Sequence, residues 1–259
     1  MSILCSVQLY LAVANADAVV IAHRGASAYL PENTLAAGAM AYAMQADFLE
    51  LDVVMSRDGV PVVFHDLTLD ALTDVAALFT DRSRENGKHY VVDFSFVELS
   101  RLTVRERTND AAQPRYPKRF PPEYALFRIP SLEQALQMVR GLNHSGSHEI
   151  GLYVELKGPQ WHEKHNLDIT SAVIDLLHRY QYSDFGDKVF IQCFDAETLK
   201  RIKRNNLTSV RLTQLIGENR WWPESRTDYD HLKTPAGLME VSEYAAGRRV
   251  QPGQKLQRT

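Results

Sequence analysis

Cysteine is nearly missing from this chain, with Cys5 and Cys193 the two examples in 259 residues. Two distant thiols, one of them in an N-terminal segment with the marks of a removable leader, exclude a disulfide framework. Proline and glycine are sparse too, at 11 and 13 residues, which excludes collagen-like and low-complexity architectures. No apolar run approaches the ~20 residues needed to cross a bilayer, so stable membrane insertion is not expected. Charge of one sign is lacking as well. Lysine and arginine total 29 against 32 aspartates and glutamates, a net charge of −3, so no basic field draws the chain to nucleic acid. What is present, 45% hydrophobic and 24% charged residues, describes one soluble globular domain.

The two ends stand apart. An apolar stretch over residues 2–13 is followed by Ala14 and Ala16 in a small-x-small pattern before Asp17, which predicts a signal peptide over 1–16 and a periplasmic or secreted protein. Its n-region carries no Lys or Arg, and without such a leader the protein is cytoplasmic. At the other end, residues 247–259 hold Arg248, Arg249, Lys255 and Arg258 and no acid, the composition of a frayed basic tail.

Between the ends, apolar strand-like runs alternate with helical patterns, the order of an α/β protein with a parallel sheet. Strands are expected over Val19 to Ala22, Phe48 to Val54, Pro61 to Phe64, Ile150 to Leu156, Lys188 to Cys193 and Val210 to Ile216. Helices are expected over Thr34 to Gln45, from the Ser131/Gln134 capping box to Gly141, over Ile169 to Tyr180, and over Ala196 to Arg204 with Asp195 as N-cap. The link from Val54 to Pro61 is too short for a helical crossover. Its Arg57, Asp58, Gly59 turn leaves open a hairpin or a tight parallel connection. The interval Asp66 to Ile129 is long and charged, in the manner of a functional insertion.

The chemistry is concentrated at strand ends. His23 and Arg24 follow the first run, Glu50 and Asp52 interrupt the second, His65 and Asp66 close the third, and Glu155 and Lys157 close the fourth. A lone Glu-x-Asp on a strand is more often a solvated edge or a salt bridge. Repetition at the same end of four successive apolar strands is what that reading leaves unexplained. In a parallel α/β barrel these ends converge on one face, and residues two apart on a strand point the same way, so Glu50, Asp52 and Glu155 can meet. Three acids in one pocket suit a hard cation, Ca²⁺ or Mg²⁺. Two histidines beside them suit proton transfer, and Arg24 and Lys157 suit a phosphoryl anion. Gln192 and Cys193 read as barrel interior, with Gln192 a weaker candidate for the pocket. Trp221 and Trp222 read as packing or as a substrate mouth, and His144, His148, His162, His165 and His231 receive no role.

HRGASAYLPENT from His23, FLELDVVMSRDGVPVVFHD from Phe48, YVELK from Tyr153 and QCFD from Gln192 together resemble the glycerophosphodiester phosphodiesterases, most closely the bacterial periplasmic type. The resemblance runs from about Val19 to about Tyr244. It implies a TIM-type (β/α)8 barrel over 17–246 with an insertion at about 66–129. It also implies hydrolysis of small glycerophosphodiesters, such as glycerophosphocholine or glycerophosphoethanolamine, to an alcohol and sn-glycerol 3-phosphate. By that resemblance His23 and His65 form the acid–base pair; Glu50, Asp52 and Glu155 hold a divalent cation, usually Ca²⁺; and Arg24 and Lys157 hold the phosphate. The attacking group is then a glycerol hydroxyl of the substrate, through a cyclic phosphate that water opens. After Tyr244 the family pattern is expected to stop, leaving 247–259 outside it and the barrel short of its last two strands. Two alternatives stand beside this reading: a related phospholipase-like phosphodiesterase, and a shortened, inactive remnant that binds anionic ligands.

Overall fold

The structure is a computed structural model and describes residues 18–109, 111, 113–124, 126–221 and 225–250. The expected leader over 1–16 lies outside the described residues, as does Trp222. Strand β1 (Ile21–Ala22) leads through helix α1 (Leu35–Ala43) to β2 (Phe48–Met55), and a tight turn returns the chain as β3 (Pro61–Val63). The insertion carries the short helices α2 (Val75–Leu78) and α3 (Phe96–Leu99) and a two-stranded ribbon, β4 (Thr103–Val104) with β5 (Phe127–Arg128). Helix α4 (Leu132–Ser145) leads to β6 (Gly151–Leu156), α5 (Pro159–Glu163) and α6 (Ile169–Arg179) to β7 (Val189–Cys193), and α7 (Ala196–Arg204) to β8 (Arg211–Ile216). Helices α8 (Tyr229–Leu232) and α9 (Pro235–Tyr244) precede β9 (Gly247–Val250).

The main sheet runs β1-β2-β6-β7-β8-β9, all neighbours parallel. This is the strand–helix alternation of the (β/α)8 barrel class, and among the described residues β9 and β1 do not pair. The short link after Met55 makes a hairpin, since β3 runs antiparallel to β2. Val53 pairs with both Val63 and Leu156, so β3 shares the β1 edge of β2 at its far end, which places His65 beside the end of β1.

The ladder register sorts the side chains. Asp52, Glu155, Gln192 and Thr213 lie in one hydrogen-bonded row, and Glu50, Tyr153, Phe190 and Arg211 in the row two residues earlier. Residues in register on parallel neighbours share a face, so both rows point into the curve of the sheet. There the rings of Tyr153 and Phe190 stack at 4.3 Å. The alternate positions, among them Leu49, Leu51, Val53, Leu152, Val154 and Ile191, are buried beneath the helices in one apolar cluster. Cys193, the last residue of β7, has the parity of Ile191 and belongs to that buried cluster, and it also borders a cavity at the C-terminal end of the sheet.

Two expectations are corrected. Helix α4 does not stop at Gly141; it runs to Ser145 because Asn143 on its last turn bonds both N–H and C=O of Ile150 at 3.0 Å, tying the helix to the start of β6. The residues from 247 do not begin as a frayed tail: Gly247–Val250 extends the sheet as β9. GRRV lacks the apolar run that marks the other strands, because the edge of a sheet demands less hydrophobicity than its centre. The insertion has a core of its own, in which Leu69, Leu72, Val75, Phe94, Leu99 and Val104 join Val54, Val62 and Phe64 in a second buried cluster.

Candidate active site

The turn after β1 sets the geometry. Arg24 and Gly25 both have positive φ, 60° and 79°. A Cβ on Gly25 would lie 2.7 Å from the Ala37 carbonyl carbon in α1, so only glycine fits there. The left-handed turn at Arg24, costing about 1–2 kcal/mol for a residue with a Cβ, aims its backbone N–H at Glu50 Oε2, 2.8 Å away. Its guanidinium meets Glu32 Oε1 at 2.8 Å and Asp52 Oδ2 at 3.1 Å. Asn33, also left-handed at φ 60°, donates from Nδ2 to Asp52 Oδ2 at 2.8 Å. Sequence reasoning missed Glu32 and Asn33 as site residues, although both stand in the PENT segment.

Glu50, Asp52 and Glu155 are all buried, each with a carboxylate oxygen within 4.8 Å of the others. Gln192 donates to Glu50 Oε1 at 2.8 Å. Lys157 Nζ lies 2.6 Å from Glu155 Oε1 and 3.6 Å from Asp52 Oδ1. Burial, reinforced by Asp52 and Glu155, pushes the Glu50 carboxyl well above the usual carboxylate range. Burial also raises Glu155, and Lys157 offsets only part of that. Burial opposes ionisation at Asp52 as well, but the nearby His65, Lys157 and Arg24 and the Asn33 hydrogen bond outweigh it and hold that carboxyl low. Lys157 and Arg24 stay cationic despite burial because the same carboxylates surround them.

His65 turns Nδ1 to Asp66 Oδ1, which leaves Nε2 for a reactant. Asp66 is in turn gripped by Arg107 of the insertion, Nη1 to Oδ2 at 2.6 Å and Nη2 to Oδ1 at 3.1 Å, and the same Nη2 reaches Glu32 Oε1 at 2.8 Å. Nothing local in the sequence marks Arg107 among the other charges of the insertion. His23 is exposed on the turn beside Arg24, its carbonyl accepting from Ser27 Oγ at 2.9 Å.

These groups border a cavity of about 710 Å³ at the C-terminal end of the sheet, within the usual size of ligand pockets. Arg24, His65, Asp66, Glu155 and Lys157 form its charged side. Trp161, Phe194, Trp221 and Tyr229 form an aromatic side, with the Phe194 ring 6.2 Å from those of Trp221 and Tyr229. The structure thus brings together Arg24, Glu50, Asp52, His65, Glu155 and Lys157. His23 is not among the described residues lining the cavity, and the other histidines play no part in its charged side.

The donor set fits a hard divalent cation: three buried carboxylates, with Asp52 Oδ1 buried and without a hydrogen-bond partner. With all five of Glu32, Glu50, Asp52, Asp66 and Glu155 ionised, their charge would exceed that of Arg24, Arg107 and Lys157 by two, which a divalent cation would balance; without one, burial and mutual repulsion hold Glu50 and Glu155 toward the neutral form.

The model of the Glycerophosphoryl diester phosphodiesterase family matches residues 23–256, across the basic segment and past the break expected after Tyr244. Glycerophosphodiester phosphodiesterase of Haemophilus influenzae is 40% identical over 253 residues, covering 92% of this chain and 69% of that protein. The Treponema pallidum enzyme of the same name is 35% identical over 247 residues, covering 89% and 69%. Among solved structures, an Oleispira antarctica phosphodiesterase in complex with the product sn-glycerol-3-phosphate superposes with a TM-score of 0.62 at 22% identity, over 90% of this chain and 74% of that one. Glycerophosphodiester phosphodiesterase from Agrobacterium tumefaciens gives 0.58 at 24% identity, over 91% and 77%. The chain therefore belongs to the glycerophosphoryl diester phosphodiesterase family and is an enzyme that hydrolyses phosphoric diesters.

Proposed function

We propose that the protein hydrolyses small glycerophosphodiesters, glycerophosphocholine or glycerophosphoethanolamine among them, to an alcohol and sn-glycerol 3-phosphate. The observation that carries this reading is the meeting of His65, Arg24, Lys157 and Glu155 in the wall of one cavity, with the buried carboxylates of Glu50 and Asp52 within 4.8 Å of that of Glu155. Glu50, Asp52 and Glu155 would hold a divalent cation, Ca²⁺ before Mg²⁺, which supplies Lewis-acid stabilisation of charge on the phosphoryl oxygens when bound. Arg24 and Lys157, both at the cavity wall, grip the phosphate. His65, whose Nδ1 faces the Asp66 carboxylate, is suited to the base role, because that carboxylate stabilises the imidazolium formed. It takes the proton of the substrate's glycerol hydroxyl as that oxygen attacks phosphorus. His23 gives a proton to the departing alkoxide, and water then opens the cyclic phosphate with the two roles reversed. The charged character of the insertion favours soluble headgroup diesters over intact lipids, which require an apolar rim. No helix among the described residues is long and apolar enough to cross a membrane. The apolar segment before Asp17 supports export to the periplasm or beyond.

The deciding experiment is release of glycerol 3-phosphate from glycerophosphocholine by the purified chain, with Ca²⁺ and with chelator, beside a thermal melt. Release that needs the cation is expected. No release from a protein that melts cooperatively would refute the reading.

A further inference from the structure

We infer that Arg107, supplied by the insertion, is a positioning residue that fixes the orientation of His65 through Asp66. This inference rests on the proposed role of His65 in proton transfer. Asp66 has two jobs that compete: its Oδ1 faces His65 Nδ1, and both its oxygens are within reach of other donors. A carboxylate held by one contact rotates about its terminal torsion with little cost. Arg107 removes that freedom by a two-point grip on Oδ2 and Oδ1, the planar geometry that a guanidinium supplies and an ammonium does not. Its third contact, Nη2 to Glu32 Oε1, joins an oxygen that already accepts from Arg24 Nη1 at 2.8 Å. One side chain therefore ties the phosphate-binding arginine and the histidine into a single frame: Arg24, Glu32, Arg107, Asp66, His65.

The backbone behind Arg107 is anchored for this purpose. Arg105 N–H donates to Leu72 C=O at 2.9 Å, Thr108 N–H to Ala71 C=O at 2.9 Å, and the Arg107 carbonyl accepts from Arg115 N–H at 2.8 Å. The side chain is only 12% exposed. Among the described residues Arg107 does not line the cavity, and its side-chain hydrogen bonds go to Asp66 and Glu32, so it acts through Asp66. Burial opposes ionisation of Asp66, yet His65 and Arg107 hold its carboxyl below the usual range, consistent with a permanently ionised acceptor. Without Arg107 the Asp66 carboxylate can swing from Nδ1, and the imidazole can turn or change tautomer, with the consequence known for base-orienting carboxylates: turnover falls while binding survives.

The test compares Arg107→Lys and Arg107→Met in the full chain with wild type and with His65→Ala as reference. It reads kcat and KM for glycerophosphocholine with saturating Ca²⁺, thermal melts, and the downfield proton resonance of the His65 ring N–H, identified by its loss in His65→Ala. Arg107→Met is expected to lower kcat by about 100-fold with KM within about threefold, and Arg107→Lys, which keeps charge but not the fork, to recover no more than about a tenth of the wild-type rate. Both are expected to lose or shift the downfield resonance. If Arg107→Met fails to melt cooperatively, the Lys variant decides. Full kcat in Arg107→Lys, or a loss confined to KM or to the melt, overturns the inference and makes Arg107 a clamp for the insertion alone. Undiminished turnover in His65→Ala overturns the functional reading beneath it, a result distinct from inactive His65→Ala beside fully active Arg107 variants, which overturns this inference only.

Discussion

Gln192 donates from Nε2 to Glu50 Oε1 at 2.8 Å, a hydrogen bond that spans 142 residues of chain and joins β7 to the middle of β2. Glu50 is the carboxylate that burial and its acidic neighbours make hardest to ionise, and the amide aims one of its oxygens without adding charge. Gln192→Leu removes the donor to Oε1 and leaves the carboxylate held through Oε2 by the Arg24 N–H. Affinity for the divalent cation is expected to fall by about 10- to 100-fold, the usual effect of losing a partner that orients a ligand, as measured by calorimetric titration with Ca²⁺. Unchanged affinity would mean that Glu50 needs no support from β7.

The two histidines and Glu155 separate by readout. His23→Ala and His65→Ala are expected to lower kcat by at least about 100-fold, and added cation should recover none of it. Glu155→Ala leaves both imidazoles in place and is expected to weaken cation affinity chiefly, so that part of its turnover returns as Ca²⁺ is raised. Steady-state kinetics over a cation series distinguishes the cases, and wild-type turnover in either histidine variant at matched folding would remove the acid–base assignment.

How much of this was legible in the sequence follows from the range of each interaction. Strands β2, β6, β7 and β8 were readable because buried parallel strands are apolar runs, and the acids of β2 and β6 stood out against them. Asp195, Ser131 and Gln134 were readable as caps because capping is local, and each makes the expected bonds. The direction of β3 was not, since a three-residue strand after a turn has the same composition either way. Nor was β9, whose polar sequence concealed a strand. Arg107 was illegible for a different reason. Its partners are 41 and 75 residues away, and a pairing between charged loop residues leaves no period or motif behind.

Gly25→Ala tests the turn that carries His23 and Arg24. An added Cβ meets the Ala37 backbone at 2.7 Å in a left-handed conformation, so strain and a steric clash combine. A loss of about 2–3 kcal/mol is expected, or a fall in melting temperature of roughly 5–10 °C for a chain of this size. Turnover should fall by more than stability does, because the Arg24 N–H that holds Glu50 lies on the same turn. A variant with the wild-type melt would show that α1 shifts freely away from the turn.

His162 gives the pH dependence of folding a definite sign. Its Nε2 accepts from Met55 N–H at 3.0 Å and its Nδ1 faces the Gly158 carbonyl at 3.0 Å. A backbone N–H can only donate, so the ring must be neutral, with its proton on Nδ1. Burial lowers its pKa to about 4, below the ~6.5 of an unfolded histidine. Between those values the unfolded chain binds the proton and the folded chain does not. Stability from this site is therefore complete above about pH 6.5 and drains away as pH falls toward 4, by about 3 kcal/mol over the window. Urea unfolding of wild type and His162→Gln at several pH values from 4 to 7 isolates it, because the carboxylates titrate alike in both. The wild-type curve should fall more steeply toward acid, and parallel curves would show that the bond from Met55 to His162 does not hold the ring neutral.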